Sequence, residues 1–240
     1  MPMWRFETEV AEVIQRTPSI KSFRFPIRAK GFRYRPGQFF FITILVEGQE
    51  ADHHFSFSSS PTEKGFMEFT KRITSSPFSQ TLAKLEPGAW ARIRGPLGDF
   101  VLPRKPGKLS FLSGGIGITP LRSMIRYVVD KRLGHDIVLL YGNASVEEIA
   151  FRDELEAMRG MPGPSLRVEH ILAGSGVPAD WPGRTGFIDS QVVREVMPDY
   201  MERLHYISGP PKMVVALREQ LESLGVFSSR MKLDSFTGYD

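Results

Sequence analysis

The chain contains no cysteine. This excludes disulfides, thiolate zinc sites, a cysteine nucleophile and any cysteine-ligated iron-sulfur cluster built from these 240 residues. It is compatible with a reducing compartment. Long apolar runs are missing as well. The longest, Phe39-Phe40-Phe41-Ile42 through Val46, has Thr43 inside it and falls far short of the ~20 residues that cross a bilayer. No run of five like charges occurs, and the formal charge is only +4 from 31 basic and 27 acidic residues, which gives no reason to expect nucleic acid. Met1 to Thr8 mixes Arg5 and Glu7 with apolar residues, and no apolar stretch follows, unlike a signal peptide. Internal repeats and low-complexity tracts are absent too. The expectation is a soluble cytoplasmic protein without a transmembrane segment, with a membrane-attached partner left open.

The composition, 41% hydrophobic and 24% charged, suits a folded chain with room for one large domain or two small ones. The two halves differ in periodicity. Short β-rich segments are expected at Arg5 to Ile14, Ile20 to Pro26, Gln38 to Val46, His53 to Ser58, Phe66 to Ile73 and Trp90 to Gly95, cut by turn residues such as Pro36-Gly37 and Pro87-Gly88. Ser79 to Leu85 reads as a short helix. From Lys108, apolar runs at Leu109 to Leu112, Ile137 to Tyr141, Leu166 to Leu172 and His205 to Ile207 alternate with helical stretches. These span about Pro120 to Lys131, Glu147 to Met158, Ser190 to Val196 and Lys212 to Leu224. The pattern predicts an antiparallel β-barrel or sandwich over residues 1–103, then βαβ units around a parallel sheet over 104–240. The boundary falls at the proline-bracketed connector Pro103-Arg104-Lys105-Pro106-Gly107.

Three segments carry chemistry. Ser113-Gly114-Gly115-Ile116-Gly117-Ile118-Thr119-Pro120 follows an apolar run and opens a helix. Its glycines let the backbone pass close to a phosphate, and the helix N-terminus offers free N–H groups and a favourable dipole. Pro120 fits the first helical turn. Ser208-Gly209-Pro210-Pro211-Lys212-Met213 repeats this arrangement, so two such turns would face one crevice of an open sheet. In the first half, Asp52-His53-His54-Phe55-Ser56-Phe57-Ser58-Ser59-Ser60-Pro61 alternates. Period 2 puts His53, Phe55 and Phe57 on one side and His54, Ser56 and Ser58 on the other, offering rings for stacking, hydroxyls for hydrogen bonds and a histidine for phosphate. The same alternation also suits an ordinary half-buried strand.

In this order the motifs resemble the ferredoxin-NADP reductase-like flavoproteins, in which a Greek-key flavin barrel precedes a Rossmann-like nicotinamide-nucleotide domain. Arg35-Pro36-Gly37-Gln38-Phe39 is similar to the family's R-P-G-Q-F, and His53 to Ser59 sits at its flavin motif R-x-Y-S-x-x-S. Gly95 to Phe100 resembles G-P-x-G-x-F, Gly114 to Pro120 resembles G-G-x-G-x-T-P, and Gly209 to Met213 the G-P-P-x-M that follows a cysteine. Asp234-Ser235-Phe236-Thr237-Gly238-Tyr239 is similar to E-x-F-x-G-Y. There are three departures. His53 and Phe55 replace Arg and Tyr, as in the H-P-F-T variant of ferric reductase and NADPH oxidase flavin domains. Ser208 stands in the cysteine position, and Asp234 replaces glutamate.

The resemblance implies FAD and either NADH or NADPH as cofactors. It places Phe55 against the isoalloxazine, Ser56 near flavin N5 and His53 toward the pyrophosphate. Phe57 and Ser58 belong to the same flavin segment, and Lys71 to Leu82, with Ser79, forms a second flavin contact. Gly114, Gly115, Gly117, Thr119 and Pro120 would receive the nicotinamide nucleotide, and Gly209 and Pro210 would shape the nicotinamide pocket. Ser56, Ser208, Asp234 and Phe236 are the candidate catalytic residues, with Phe236 against the other flavin face. The activity implied is hydride transfer from NAD(P)H to FAD, then single-electron transfer to a ferredoxin-like, iron-sulfur or haem protein. A diffusible ferric-chelate or flavin acceptor, and a non-catalytic regulatory subunit, are the competing readings. Tyr141-Gly142-Asn143-Ala144-Ser145 carries neither an acid for a ribose hydroxyl nor an arginine for a 2′-phosphate, leaving the nucleotide open. His135, His170 and His205 lack ligand spacing, and no metal is expected.

Overall fold

The computed structural model describes residues 3–174 and 176–236. The first half forms β1 (Trp4–Glu9), β2 (Glu12–Thr17), β3 (Ile20–Pro26), β4 (Phe39–Val46), β5 (Gln49–Ser56), β6 (Phe66–Arg72), a short α1 (Pro77–Ala83) and β7 (Trp90–Leu97). Two antiparallel ladders result, a four-stranded sheet β1-β7-β4-β5 and a three-stranded sheet β2-β3-β6. Alternating side chains from both ladders meet in one aromatic core, where Phe23 and Phe25 of β3, Phe40 of β4 and Phe69 of β6 are fully buried.

The expected single strand Arg5 to Ile14 is two strands in different sheets. The chain turns at Val10 and Ala11, whose N–H groups donate to the Ala89 and Arg24 carbonyls. The expected strand His53 to Ser58 instead begins at Gln49 and ends at Ser56, so its alternation does not extend to Phe57 and Ser58.

The second half contains β8 (Lys108–Gly114), α2 (Ile118–Asp130), β9 (Asp136–Asn143), α3 (Arg152–Arg159), β10 (Ser165–Leu172), the two-residue β11 (Arg184–Thr185), α4 (Ser190–Val196), β12 (Leu204–Gly209), α5 (Pro211–Ser223) and β13 (Met231–Ser235). All six strands run parallel, in the order β11-β10-β9-β8-β12-β13. Because both faces are covered, alternate residues of one strand enter different cores. Leu109 and Phe111 of β8 pack with α2 and α3, whereas Leu112 packs with α4 and α5. The expected helix Glu147 to Met158 is broken. A 3-10 turn at Val146–Glu148 precedes α3, and Phe151 between them holds a φ of 60°.

Strand order reverses between β8 and β12, and open α/β sheets bind ligands at such a reversal. Both glycine turns lie there, at the C-terminal ends of these two strands. Among the described residues no helix is long and apolar enough to cross a membrane.

Candidate functional site

A cleft of about 170 Å³ lies where the barrel meets this reversal, lined from the barrel by His53, Phe55, Ser56 and Lys71 and from the parallel sheet by Thr119, Asp234 and Phe236. On the barrel side the end of β5 supplies the first wall. The Phe55 ring stacks on Phe69 at 4.4 Å, and the His53 ring lies 3.9 Å from that of Phe78 on α1. Ser76 caps α1 by accepting from the Ser79 N–H, and it also lines the cleft. Lys71, buried on β6, donates to the Arg72 carbonyl at 3.1 Å. Burial lowers its amine to a pKa of about 8. Burial also lowers His53, helped by the nearby charges of Lys71 and His54.

The parallel sheet supplies the opposite wall. Gly114 closes β8, and Gly115–Gly117 form a 3-10 turn leading into α2. Gly115 has a φ of +51°, and a Cβ added there would meet only Arg72 Nη2, at 3.9 Å, so the backbone is open to an approaching group. Gly117 is the reverse case. An added Cβ would run into the Ser208 carbonyl and lie 2.6 Å from the Gly209 Cα, so the two glycine turns pack directly on one another. Thr119 and Pro120 occupy the first turn of α2, and the Thr119 hydroxyl donates to the Ile116 carbonyl.

β13 completes the site by pairing Asp234 with Ser208 and Ser235 with Gly209, after which the Phe236 N–H donates to the Gly209 carbonyl. The Ser56 hydroxyl donates to Asp234 across the junction at 3.5 Å. Burial pushes the Asp234 carboxyl up to a pKa of about 6, against the lowering effect of the Ser56 bond.

The structure thus brings His53, Phe55, Ser56, Lys71, Thr119, Asp234 and Phe236 to one cleft, with Gly114, Gly115, Gly117, Gly209 and Pro210 at the adjoining turns. Of the other expected residues, Ser208 does not line the cleft but is fully buried near the end of β12 beside Asp234 of β13, and three lie elsewhere. Phe57 is fully buried in the barrel, stacked 3.9 Å from Tyr34. The Ser58 hydroxyl donates to Glu68, and the buried Ser79 hydroxyl accepts from the Thr74 N–H. Thr237, Gly238 and Tyr239, which end the last motif, lie outside the described residues. Thr70 lines the cleft although it lies outside the segments that the sequence marks for ligand contact, and His54 and Ser76, which lie inside those segments without an assigned role, line it too. A separate surface depression of about 260 Å³ on the outer barrel is lined by charges that pair with one another, Arg92 with Glu50 and Arg94 with Asp52.

Residues 7–102 match an oxidoreductase FAD-binding domain, and residues 111–219 match an oxidoreductase NAD-binding domain. The chain is 31% identical over 210 residues to ferredoxin-NADP reductase B of Sorangium cellulosum, covering 86% of this chain and 82% of that protein. The chain belongs to the ferredoxin-NADP reductase-like flavoprotein family. It is also 30% identical over 241 residues to the glycine betaine monooxygenase reductase subunit of Chromohalobacter salexigens, covering 97% of this chain but 64% of that protein. The chain therefore spans less than two thirds of that relative. Its fold matches the crystal structure of a ferredoxin NADP+ reductase from Neisseria gonorrhoeae with bound FAD and NADP at a TM-score of 0.80, with 20% identity and 96% and 98% of the two chains covered.

The residues present fit the groups that members of this flavoprotein family hold. Phe55, Phe78 and Phe236 offer apolar rings for a flat heterocycle, and Lys71 brings a cation to the same cleft. At the strand reversal, the fully buried Ser113 and Ser208 hydroxyls, adjacent in the β8–β12 pairing, have no hydrogen-bond partner. Buried polar atoms are seldom left so, which marks out this strand reversal.

Proposed function

We propose that this chain is an FAD-dependent NAD(P)H oxidoreductase that passes electrons singly to a separate acceptor protein. The carrying observation is the Ser56–Asp234 contact, which joins the flavin segment of the barrel to the last strand of the nucleotide sheet in one cleft. In this reading residues 1–103 hold the flavin and 104–240 the nucleotide, a division supported by family matches that end at 102 and resume at 111. When bound, the flavin supplies the group that takes a hydride from the nicotinamide and releases the electrons one at a time.

The protein positions the two groups and handles protons. Phe55 and Phe236 present apolar faces to the cleft, while Lys71 and His53 face the anionic portion of the ligand. Gly115, Gly117, Thr119 and Pro120 take the nucleotide phosphates at the start of α2, and Gly209 and Pro210 bound the nicotinamide. Asp234, raised by burial to about 6, accepts the Ser56 hydrogen bond when ionised and carries a proton of its own below that pH, while Ser56 keeps its proton in both states. Ser208 next to Asp234 requires no thiol chemistry. The acceptor in this reading is an iron-sulfur or haem protein; the names of the two sequence relatives, a monooxygenase reductase subunit and a ferredoxin-NADP reductase, support a protein acceptor in general. The proposal includes a cytoplasmic setting, where reduced nicotinamide nucleotides are available.

The test is anaerobic mixing of the FAD-loaded protein with NADH and, separately, NADPH. Loss of the visible flavin absorbance with at least one is expected, and no loss with either overturns the reading. Rapid turnover of ferric citrate without added protein would replace the protein acceptor by a diffusible one.

A further inference from the structure

Arg122 is 3% exposed on α2, a helix whose neighbouring Leu121, Met124, Ile125 and Val128 are fully buried apolar residues. Its guanidinium makes five hydrogen bonds from all three nitrogens. Nη1 donates to the Ser58 carbonyl at 2.9 Å and to Glu63. Nη2 donates to Glu63 at 3.0 Å and to Glu154 at 2.5 Å, and Nε donates to Glu154 at 3.2 Å. The next residue repeats the grip, its Ser123 hydroxyl donating to the Ser59 carbonyl at 2.6 Å. Burial raises the Glu63 carboxyl, but the Arg122 hydrogen bond and charge outweigh this and hold it below the usual carboxylate range.

Stability does not explain this arrangement, because a buried charge cluster contributes little more than well-packed apolar side chains. A planar fork of five donors does fix geometry. The elements it joins are the ones bearing the site. Thr119 lies one turn before Arg122 and lines the cleft, while Ser58 lies two residues after Ser56, which faces Asp234. The Ser58 N–H is itself fixed to the Glu68 carbonyl of β6 at 2.8 Å, so the barrel end of the link is rigid.

We infer that Arg122 is a positioning residue: steadied by Glu154 of the neighbouring α3, it sets, through the Ser58 carbonyl and Glu63, the separation between the nucleotide turn and the flavin segment, and so the rate of hydride transfer between them. This rests on the function proposed above. Lysine keeps the charge but concentrates its donors on one atom, so it cannot hold Ser58 and Glu63 while also reaching Glu154 as the arginine fork does.

The test compares wild type with Arg122→Lys and Arg122→Met, with Ser123→Ala as a milder variant should the methionine protein fail to fold. Misplacement of about 1 Å between reacting groups costs about a hundredfold in rate, so anaerobic flavin reduction in the lysine variant is expected to slow by at least about tenfold. Dissociation constants for FAD and for the oxidised nucleotide, to which the opposite half adds only part of the cleft wall such as Phe236, should change much less than the rate, by about threefold or less. A second readout is independent of turnover. The absence of native cysteine makes Gln49→Cys and Lys131→Cys unique spin-label sites on the barrel and at the end of α2. Their distance distribution should be narrow with Arg122 and broader or displaced without it. Wild-type reduction rates, or an unchanged distance distribution, in folded Arg122 variants would overturn the inference. A wild-type protein that binds FAD but is reduced by neither nucleotide overturns the function instead, and the distance measurement then still decides the role of Arg122.

Discussion

The Ser56 hydroxyl and the Asp234 carboxylate meet at 3.5 Å although 178 positions separate them in the chain. Burial favours the protonated form of Asp234, so the folded protein holds a proton that the unfolded chain releases at lower pH. Wild-type stability should therefore fall as pH rises through the interval between the ordinary carboxyl value of 3.8 and about 6, and level off above it. Asp234→Asn lacks this penalty. After allowance for partial exposure, it should be more stable than wild type by roughly 1–2 kcal/mol near pH 8, the difference vanishing below about pH 4. Urea unfolding of the ligand-free proteins across this range checks the sign. Equal stability of the two near pH 8 would count against the buried carboxylate.

Lys71 is charged below a pKa of about 8 and neutral above it. Attraction between the cleft and the anionic part of FAD should therefore weaken as pH rises through that value. Fluorescence titration of FAD from about pH 6.5 to about pH 9.5 should show this loss in wild type and a much flatter profile in Lys71→Met.

The two glycines of the 3-10 turn should respond differently to alanine. At Gly115 the methyl has room, and only the left-handed backbone opposes it, at about 1 kcal/mol. At Gly117 the methyl meets the backbone of Ser208 and Gly209, which cannot move as a flexible side chain does. A loss of about 2–3 kcal/mol with weakened nucleotide binding is expected, visible in denaturant melts and calorimetric titration.

His205 is fully buried, with Nε2 2.9 Å from the Tyr200 carbonyl and Nδ1 2.9 Å from the Ser110 hydroxyl. The carbonyl can only accept, so Nε2 carries the proton and Nδ1 accepts from Ser110. Burial lowers the pKa to about 4, against the raising effect of the Tyr200 bond. The stability this gives is complete above the ordinary histidine value of 6.5 and is lost as pH falls toward about 4. The total is roughly 3 kcal/mol. An NMR titration of the His205 ring with a midpoint near 6.5 would contradict it.

Much of the parallel sheet was legible because its strands are apolar runs buried on both faces. Leu109 to Leu112, Ile137 to Tyr141 and His205 to Ile207 each lie inside an observed strand. β13 carries no such run. It exists through pairing with β12, a contact local sequence cannot announce. The corner at Val10 and Ala11 has neither glycine nor proline to mark it, and Phe151 holds a left-handed conformation that aromatic residues seldom adopt. The glycine turns and His53 to Ser56 were readable as motifs. Phe57 and Ser58 were misplaced because the alternation stops with β5 at Ser56. Arg122 was invisible for a different reason: on an apolar helix face an arginine reads as a surface residue until its partner Glu63, 59 positions away, is known.

β13 also matters for damage to the coding sequence. A chain ending after Gly225 would retain both antiparallel ladders and five of the six parallel strands, but it would lose Asp234 and Phe236 and bare the edge of β12. Late nonsense mutations would thus remove the carboxylate and one aromatic wall of the cleft while leaving nearly all of the core, yielding an aggregation-prone ligand binder rather than a missing protein.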